Sequence, residues 1–372
     1  MRVVHYMGMS STKYGGLEKF IVALTKEGAK QDIQFCFVYY DEPQSIDFVH
    51  DLQNGGGEIK CLGTKQKFLC ARNFLSFLRK YKPDAVHFHF GEESNVLAAI
   101  IRLCPQFRHV VLLRTLHCCV YGHGRHIYSY SDFGPRTKAF HLFGKVSKIY
   151  DKTICVSDFV RKQWFSIFPE SKNVVTIYLG CNAPEYSTSE EIKALKEELN
   201  IGSEKVLCSI LFSSPIKGPD LLIKALPYIH NDFKLILIGL DDSAYTNELI
   251  SLSRELGVYD RIIWVGISNN VFKYLEISDL YIQPSRTEGL SLAAMEAASY
   301  SKPIIGSDTG GLPEIASCTY PAEDYYAFAQ LVNKMLSDRN LYEATCAESF
   351  KKWNRIFNLE IAVGNYMRVY TD

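Results

Sequence analysis

Apolar runs of strand length alternate with amphipathic stretches along nearly the whole chain. MRVVHYMG is a short buried-type strand, a loop holding Gly15 and Gly16 follows, and LEKFIVALTKEGAK then repeats its apolar positions at helical spacing. IQFCFVYY predicts a second strand, KFLCARNFLSFLRKYKP a helix stopped by Pro83, and DAVHFHFG, SNVLAAIIRLC and HVVLLRTLH a strand, a helix and a strand. KTICVS and VVTIYLG continue the series. Beyond the polar stretch APEYSTSEE the pattern restarts with strands VLCSILF, KLILIGL and IIWVGI and helices PDLLIKALPYI and NELISLSRELGV between them. Strands separated by helices predict an α/β protein with parallel sheets covered on both faces. The restart predicts two Rossmann-like halves joined near residues 183–190, with ligands at the carboxyl ends of the strands.

Composition agrees with two domains. A chain of 372 residues is long for one core, and 47% hydrophobic and 13% aromatic content can fill two. No apolar run approaches the length of a membrane span, and the start has a strand-length apolar segment rather than a signal-peptide core, so a cytoplasmic or peripheral protein is expected. The 11 cysteines are scattered, odd in number and without a C-x-x-C pair, which predicts reduced thiols rather than disulfides or a zinc site. Zero net charge hides an asymmetry: residues 1–182 carry 24 Lys and Arg against 15 Asp and Glu, residues 183–372 carry 17 against 26. A basic first half implies an anionic partner. No zinc, helix-turn-helix or RNA-binding signature accompanies the charge, so an anionic lipid surface fits better than nucleic acid.

The densest chemistry lies in IQPSRTEGLSLAAMEAASYSKPIIGSDTGGLPEI. A buried strand (Leu280, Tyr281, Ile282) ends at a Pro-Ser turn, and LSLAAMEAAS reads as a helix with Ser291 as its cap. Glu288 then precedes the helix, Glu296 lies about one and a half turns into it, and the N–H groups of Gly289, Leu290, Ser291 and Leu292 point between them. A helix N-terminus attracts phosphate, and flanking carboxylates accept hydrogen bonds from hydroxyls. Together these match the parts of a sugar nucleotide.

Glu288 and Glu296 at this spacing, the preceding Pro-Ser, and the trailing KPIIGSDTGGLPEI with Pro303, Gly310, Gly311 and Glu314 resemble the donor-site signature of the family-four retaining glycosyltransferases of the GT-B fold, the glycosyl transferases of group 1. The resemblance implies two Rossmann-like domains facing each other across a cleft. Residues 1–183 would bind the acceptor and 184–353 the sugar nucleotide, with a C-terminal helix at about 354–372, part of a final helix read around 341–370, packing back on the first. It implies a retaining transferase that moves a hexosyl group from a UDP-sugar or GDP-sugar to a carbohydrate acceptor, without a metal or other cofactor. The basic first domain adds a lipid-linked acceptor at the inner face of the cytoplasmic membrane, as in lipopolysaccharide or capsule synthesis.

Roles carry over by position. Glu296 would hold the ribose and Glu288 the transferred sugar, while His117, at the end of VVLLRTLH, would contact the donor sugar. Gly15, Gly16 and Glu18 match a Gly-Gly-x-Glu near the donor phosphate, Lys217 holds the diphosphate, and Val265-Gly266-Ile267 is the nucleobase turn. The chain departs from the family where an arginine precedes that lysine: Phe212, Ser213 and Ser214 stand there, leaving the phosphates to Lys217, the helix dipole and Arg286. That departure keeps open a sugar-nucleotide-binding partner without turnover. An epimerase or phosphorylase on a similar fold is a further alternative.

Overall fold

The computed structural model describes residues 1–91, 93–118, 148–268 and 270–371. Residues 119–147, which include His123, His126 and several of the basic residues of the first half, lie outside the described residues. The chain divides into two units, which among described residues comprise 1–118, 148–179 and 359–371 in the first and 180–358 in the second.

The first unit carries seven described strands, β1 (Arg2–Tyr6), β2 (Gln34–Tyr39), β3 (Glu58–Cys61), β4 (Ala85–Phe88), β5 (Val111–Leu116), β6 (Lys152–Cys155) and β7 (Val174–Thr176), in the order β3-β2-β1-β4-β5-β6-β7. All pairings are parallel. In β2 the residues from Phe35 to Tyr39 are all buried and read as a continuous apolar run because helices cover both faces. The helix Gly16–Lys30 buries Phe20, Ile21 and Leu24 and packs against the helix Leu359–Thr371, with the Phe20 and Tyr366 rings 5.0 Å apart. Burying one such aromatic contributes about 1.5–3 kcal/mol, which ties the end of the chain into this unit.

The second unit orders β8 (Lys205–Ile210), β9 (Phe233–Ile238), β10 (Ile262–Gly266), β11 (Leu280–Gln283), β12 (Ile304–Ser307) and β13 (Cys318–Tyr320) as β10-β9-β8-β11-β12-β13, again all parallel. In each sheet the strand order reverses once, between β1 and β4 and between β8 and β11. Ligands of such sheets bind outside the carboxyl ends of the strands at that reversal. The loops after β8 and β11 are those of Lys217 and Glu288.

The C-terminal helical stretch differs from the single helix read around 341–370. It consists of Arg339–Lys352, a π-helical turn at Trp353–Phe357, an extended Asn358, and Leu359–Thr371. No Gly or Pro marks the break. It is imposed by Cys181, whose N–H bonds the Phe357 carbonyl at 3.0 Å and whose backbone bridges Asn358. Among the described residues no helix is long and apolar enough to cross a membrane, and ten cysteines are free thiols.

Candidate active site

The loop after β8 and the loop after β11 are drawn together by backbone contacts that need glycine. Gly218 has φ +68°, and a Cβ there would fall 2.0 Å from the Pro284 carbonyl oxygen. The Arg286 N–H bonds the Ile216 carbonyl at 2.7 Å. The result places the Lys217 ammonium 2.6 Å from Glu288 Oε2, in a site where the two side chains are 18% and 9% exposed. Lys217 also lies 5.2 Å from the centroid of the Phe212 ring.

Glu288 is held from below by a run of buried hydrogen bonds. Ser285 Oγ donates to Glu288 Oε2 at 3.2 Å, Gln283 Nε2 donates to Ser285 Oγ at 2.9 Å, and Gln283 Oε1 accepts from the Tyr281 hydroxyl at 2.7 Å and from Ser291 Oγ at 3.1 Å. Ser291 Oγ in turn accepts from the Ala294 N–H at 3.2 Å, so it caps the helix Leu292–Ser299 as its sequence predicts. Gly289 and Leu290 are buried in the turn between Glu288 and this cap, and Glu296 is buried on the helix at 8% exposure.

The S-D-T-G-G run explains itself here. Ser307 Oγ donates to the Ser285 carbonyl, Thr309 Oγ1 to the Arg286 carbonyl at 3.1 Å, and the Gly311 N–H to the Glu288 carbonyl at 3.1 Å. Gly310 has φ +58°, and its missing Cβ would sit 1.6 Å from the Glu288 carbonyl oxygen. Three carbonyls of one loop are thus fixed by three residues of the next, with Gly310 leaving room for the approach.

All five N–H donors of Arg286, the arginine expected beside the phosphates, are engaged by other groups of this unit. Nη1 and Nη2 form a fork on Asp220 at 2.7 and 2.8 Å, Nε and Nη2 reach Glu323 at 2.5 and 3.3 Å, and Nη1 also meets the Pro215 carbonyl at 2.5 Å. Burial alone would raise the Asp220 pKa, but the hydrogen bonds and charge of Arg286 hold it below the usual range. The arginine closes the loop base as a bidentate clasp. Its partners, 66 and 37 residues away, are invisible to local sequence reading.

The remaining expected site residues belong to other loops of the chain. Ile267 follows the edge strand β10 and is 69% exposed. Ser213 accepts from the Asp241 N–H at 2.8 Å, so the segment that lacks the arginine is anchored to the loop after β9. In the first unit Gly15 has φ −96° and caps the helix that Gly16 begins, a conformation open to any residue. That loop is shaped by Glu18, which accepts from the Gly15 N–H and from Ser11 Oγ, both at 3.1 Å. His117, one residue past β5, has its pKa lowered by burial.

The profile described as Glycosyl transferases group 1 matches residues 191–352, and that of Glycosyltransferase Family 4 matches residues 14–183. The chain belongs to the family-four, group 1 glycosyltransferases. It is 26% identical over 230 residues to the N-acetyl-alpha-D-glucosaminyl L-malate synthase of Bacillus anthracis, covering 60% of each chain, and thus spans less than two thirds of that relative. A GDP-mannose-dependent phosphatidylinositol monomannoside mannosyltransferase of Mycolicibacterium smegmatis is 25% identical over 44% of this chain and 46% of its own. Among solved structures, the Anabaena protein HepE in complex with UDP and glucose superimposes with a TM-score of 0.81 at 16% identity, over 100% of this chain and 99% of that one. The fold of this glycosyltransferase family member is therefore GT-B.

Proposed function

We propose that this chain is a retaining glycosyltransferase that moves a sugar from a nucleoside diphosphate sugar to a carbohydrate acceptor. The observation that carries the reading is the meeting of Lys217 and Glu288 at 2.6 Å where the second sheet reverses, beside the capped helix Leu292–Ser299. Lys217 and the helix N-terminus take the diphosphate, and a bound diphosphate competes with Glu288 for the ammonium. Glu288 then accepts from hydroxyls of the transferred sugar, and Glu296 holds the ribose. As the sugar–oxygen bond breaks, charge builds on the leaving diphosphate, where a positioned ammonium and backbone N–H groups stabilise it. The departing phosphate accepts the proton of the acceptor hydroxyl, so no covalent nucleophile and no metal is required. The UDP and glucose in the HepE complex support a uridine donor, and the GDP-mannose named for the mannosyltransferases keeps a guanosine donor in the screen.

Glu296→Gln tests the reading. Calorimetry should find weakened binding of both the nucleoside diphosphate and its sugar, by similar factors, because both contain the same ribose. Unchanged nucleotide affinity removes Glu296 from this role.

The acceptor is proposed to be lipid-linked, presented at an anionic membrane face. Support comes from the basic first half and from the helix Lys67–Tyr81, where Lys67, Arg72, Arg79 and Lys80 are exposed and Phe68 is 79% exposed beside Lys65. Basic residues near such a surface contribute about 1 kcal/mol each. Cosedimentation with liposomes containing acidic lipid should therefore fall with added salt. It should vanish when Lys65, Lys67, Arg79 and Lys80 are reversed in charge, with nucleotide affinity retained. Salt-insensitive binding, or none, points to a soluble acceptor.

A further inference from the structure

Four histidines of the first unit form a continuous line. His5 lies on β1 opposite His87 on β4, and His89 and His117 follow β4 and β5 directly. The H-x-H spacing of 87 and 89 and the T-x-H spacing of 115 and 117 put each pair on one face of the sheet. His117 Nε2 lies 2.9 Å from His89 Nδ1, and His89 Nε2 lies 2.9 Å from His5 Nδ1. His5 Nε2 reaches the Tyr370 hydroxyl at 3.4 Å, the longest link of the series. That hydroxyl is 2.7 Å from His87 Nδ1, and His87 Nε2 is 2.8 Å from Thr115 Oγ1. Among the described residues the nitrogen left over is His117 Nδ1.

Burial lowers the pKa of all four rings, so each is neutral at pH 7. A neutral imidazole has one N–H and one lone pair. With one proton per link, and the Tyr370 hydroxyl donating to one of its two histidine neighbours while accepting from the other, two arrangements satisfy every contact. Either all four histidines carry the proton on Nδ1, or all four carry it on Nε2. In the first, His117 offers an Nδ1–H donor; in the second, an Nδ1 lone pair.

We propose that this run is a tautomer wire. Tyr370, His87, His5 and His89 act as positioning residues that fix, from the core, whether His117 donates to or accepts from a sugar hydroxyl. The wire itself stands on the contacts above; its consequence for the sugar rests on the proposed donor contact of His117. Metal ligation is the competing account, since ring nitrogens of His5, His87 and His89 lie within 4.8 Å of one another. Two nitrogens at about 2.0–2.1 Å from a tetrahedral zinc would be about 3.3 Å apart. The 2.9 Å between His5 and His89 is a hydrogen-bond length instead.

The full chain with 15N-labelled histidine, observed by long-range proton–nitrogen correlation at pH 7, reads each tautomer directly. One shared tautomer across His5, His87, His89 and His117 is expected. Discordant tautomers, a protonated ring, or stoichiometric zinc-bound nitrogens on adding zinc overturn the wire. Tyr370→Phe keeps the ring and removes the central hydroxyl, so His117 should pass to a mixture of tautomers. Turnover should fall about tenfold while nucleoside diphosphate affinity is unchanged. An unchanged His117 spectrum in that variant overturns the proposal even if turnover drops, because a packing defect alone would lower activity. Thr115→Val, at the far end, gives the same readout should Tyr370→Phe fold poorly. Full turnover in His117→Ala would overturn the catalytic consequence and leave the wire a purely structural device.

Discussion

Lys217→Ala is expected to weaken nucleoside diphosphate binding about a hundredfold while leaving the bare nucleoside within a few-fold of its original affinity. Hydrogen bonds to charged groups are worth about 1.5–3 kcal/mol each, and a hundredfold is about 2.8 kcal/mol. The same substitution also leaves Glu288 in its buried place with its cation gone. Breaking a buried pair costs about 3–5 kcal/mol, and the partial exposure of Lys217 at 18% puts this pair toward the lower figure. Folding and binding can be separated by Lys217→Met combined with Glu288→Gln, which removes both charges. The double variant should recover most of the lost melting temperature yet bind diphosphate no better than Lys217→Ala. Recovery of binding would mean that Lys217 serves only to neutralise Glu288.

Gly310→Ala should be the most damaging substitution of a single methyl group. Its backbone, at φ +58°, is one that side chains adopt at a cost of about 1–2 kcal/mol. The added Cβ would also overlap the Glu288 carbonyl oxygen at 1.6 Å, so the Glu288 loop must move by more than an ångström or so, a displacement that costs on the order of a hundredfold in rate. Gly257→Ala is the matched control, with φ +67° in the same unit and no atom within 4 Å of the added methyl. Strain alone should lower its melting temperature modestly and spare turnover. Equal loss of turnover in the two variants would show that backbone strain, not displacement of Glu288, is responsible.

The strand, loop and helix around Glu288 were legible because their signals are local. A buried apolar run, a Pro-Ser turn and a serine cap all act within a few residues of where they are written. The β-α alternation of both sheets was equally plain. Short elements with little apolar surface were not read. The helices Ile46–Asn54 and Ser189–Glu198 bury only Phe48 and Leu52, and Leu195, respectively. The second of these nevertheless carries a Thr188 to Glu191 capping box that could have located it. Direction of side chains was beyond reach where the partner is remote. Arg286 stands two residues before Glu288, and its fork on Asp220 and its contact with Glu323 exist only in the folded chain. The histidine line was equally hidden: its members come from three separate strands, and its central hydroxyl from Tyr370 near the chain end.

The hydrogen bonds from Tyr281 through Gln283 and Ser285 to Glu288 bear on conformational entropy. A glutamate side chain loses up to about 1.5–2 kcal/mol of rotamer freedom when it is fixed. Here that loss is incurred once, as the protein folds, because buried hydroxyl and amide groups already restrict the carboxylate before any sugar arrives. Under the proposed roles of Glu288 and Lys217, donor binding would then only exchange the contact between them for new ones. The selectivity of the site for a particular sugar would rest on the fit of its hydroxyls to an ordered acceptor rather than on a side chain adapting to whatever enters.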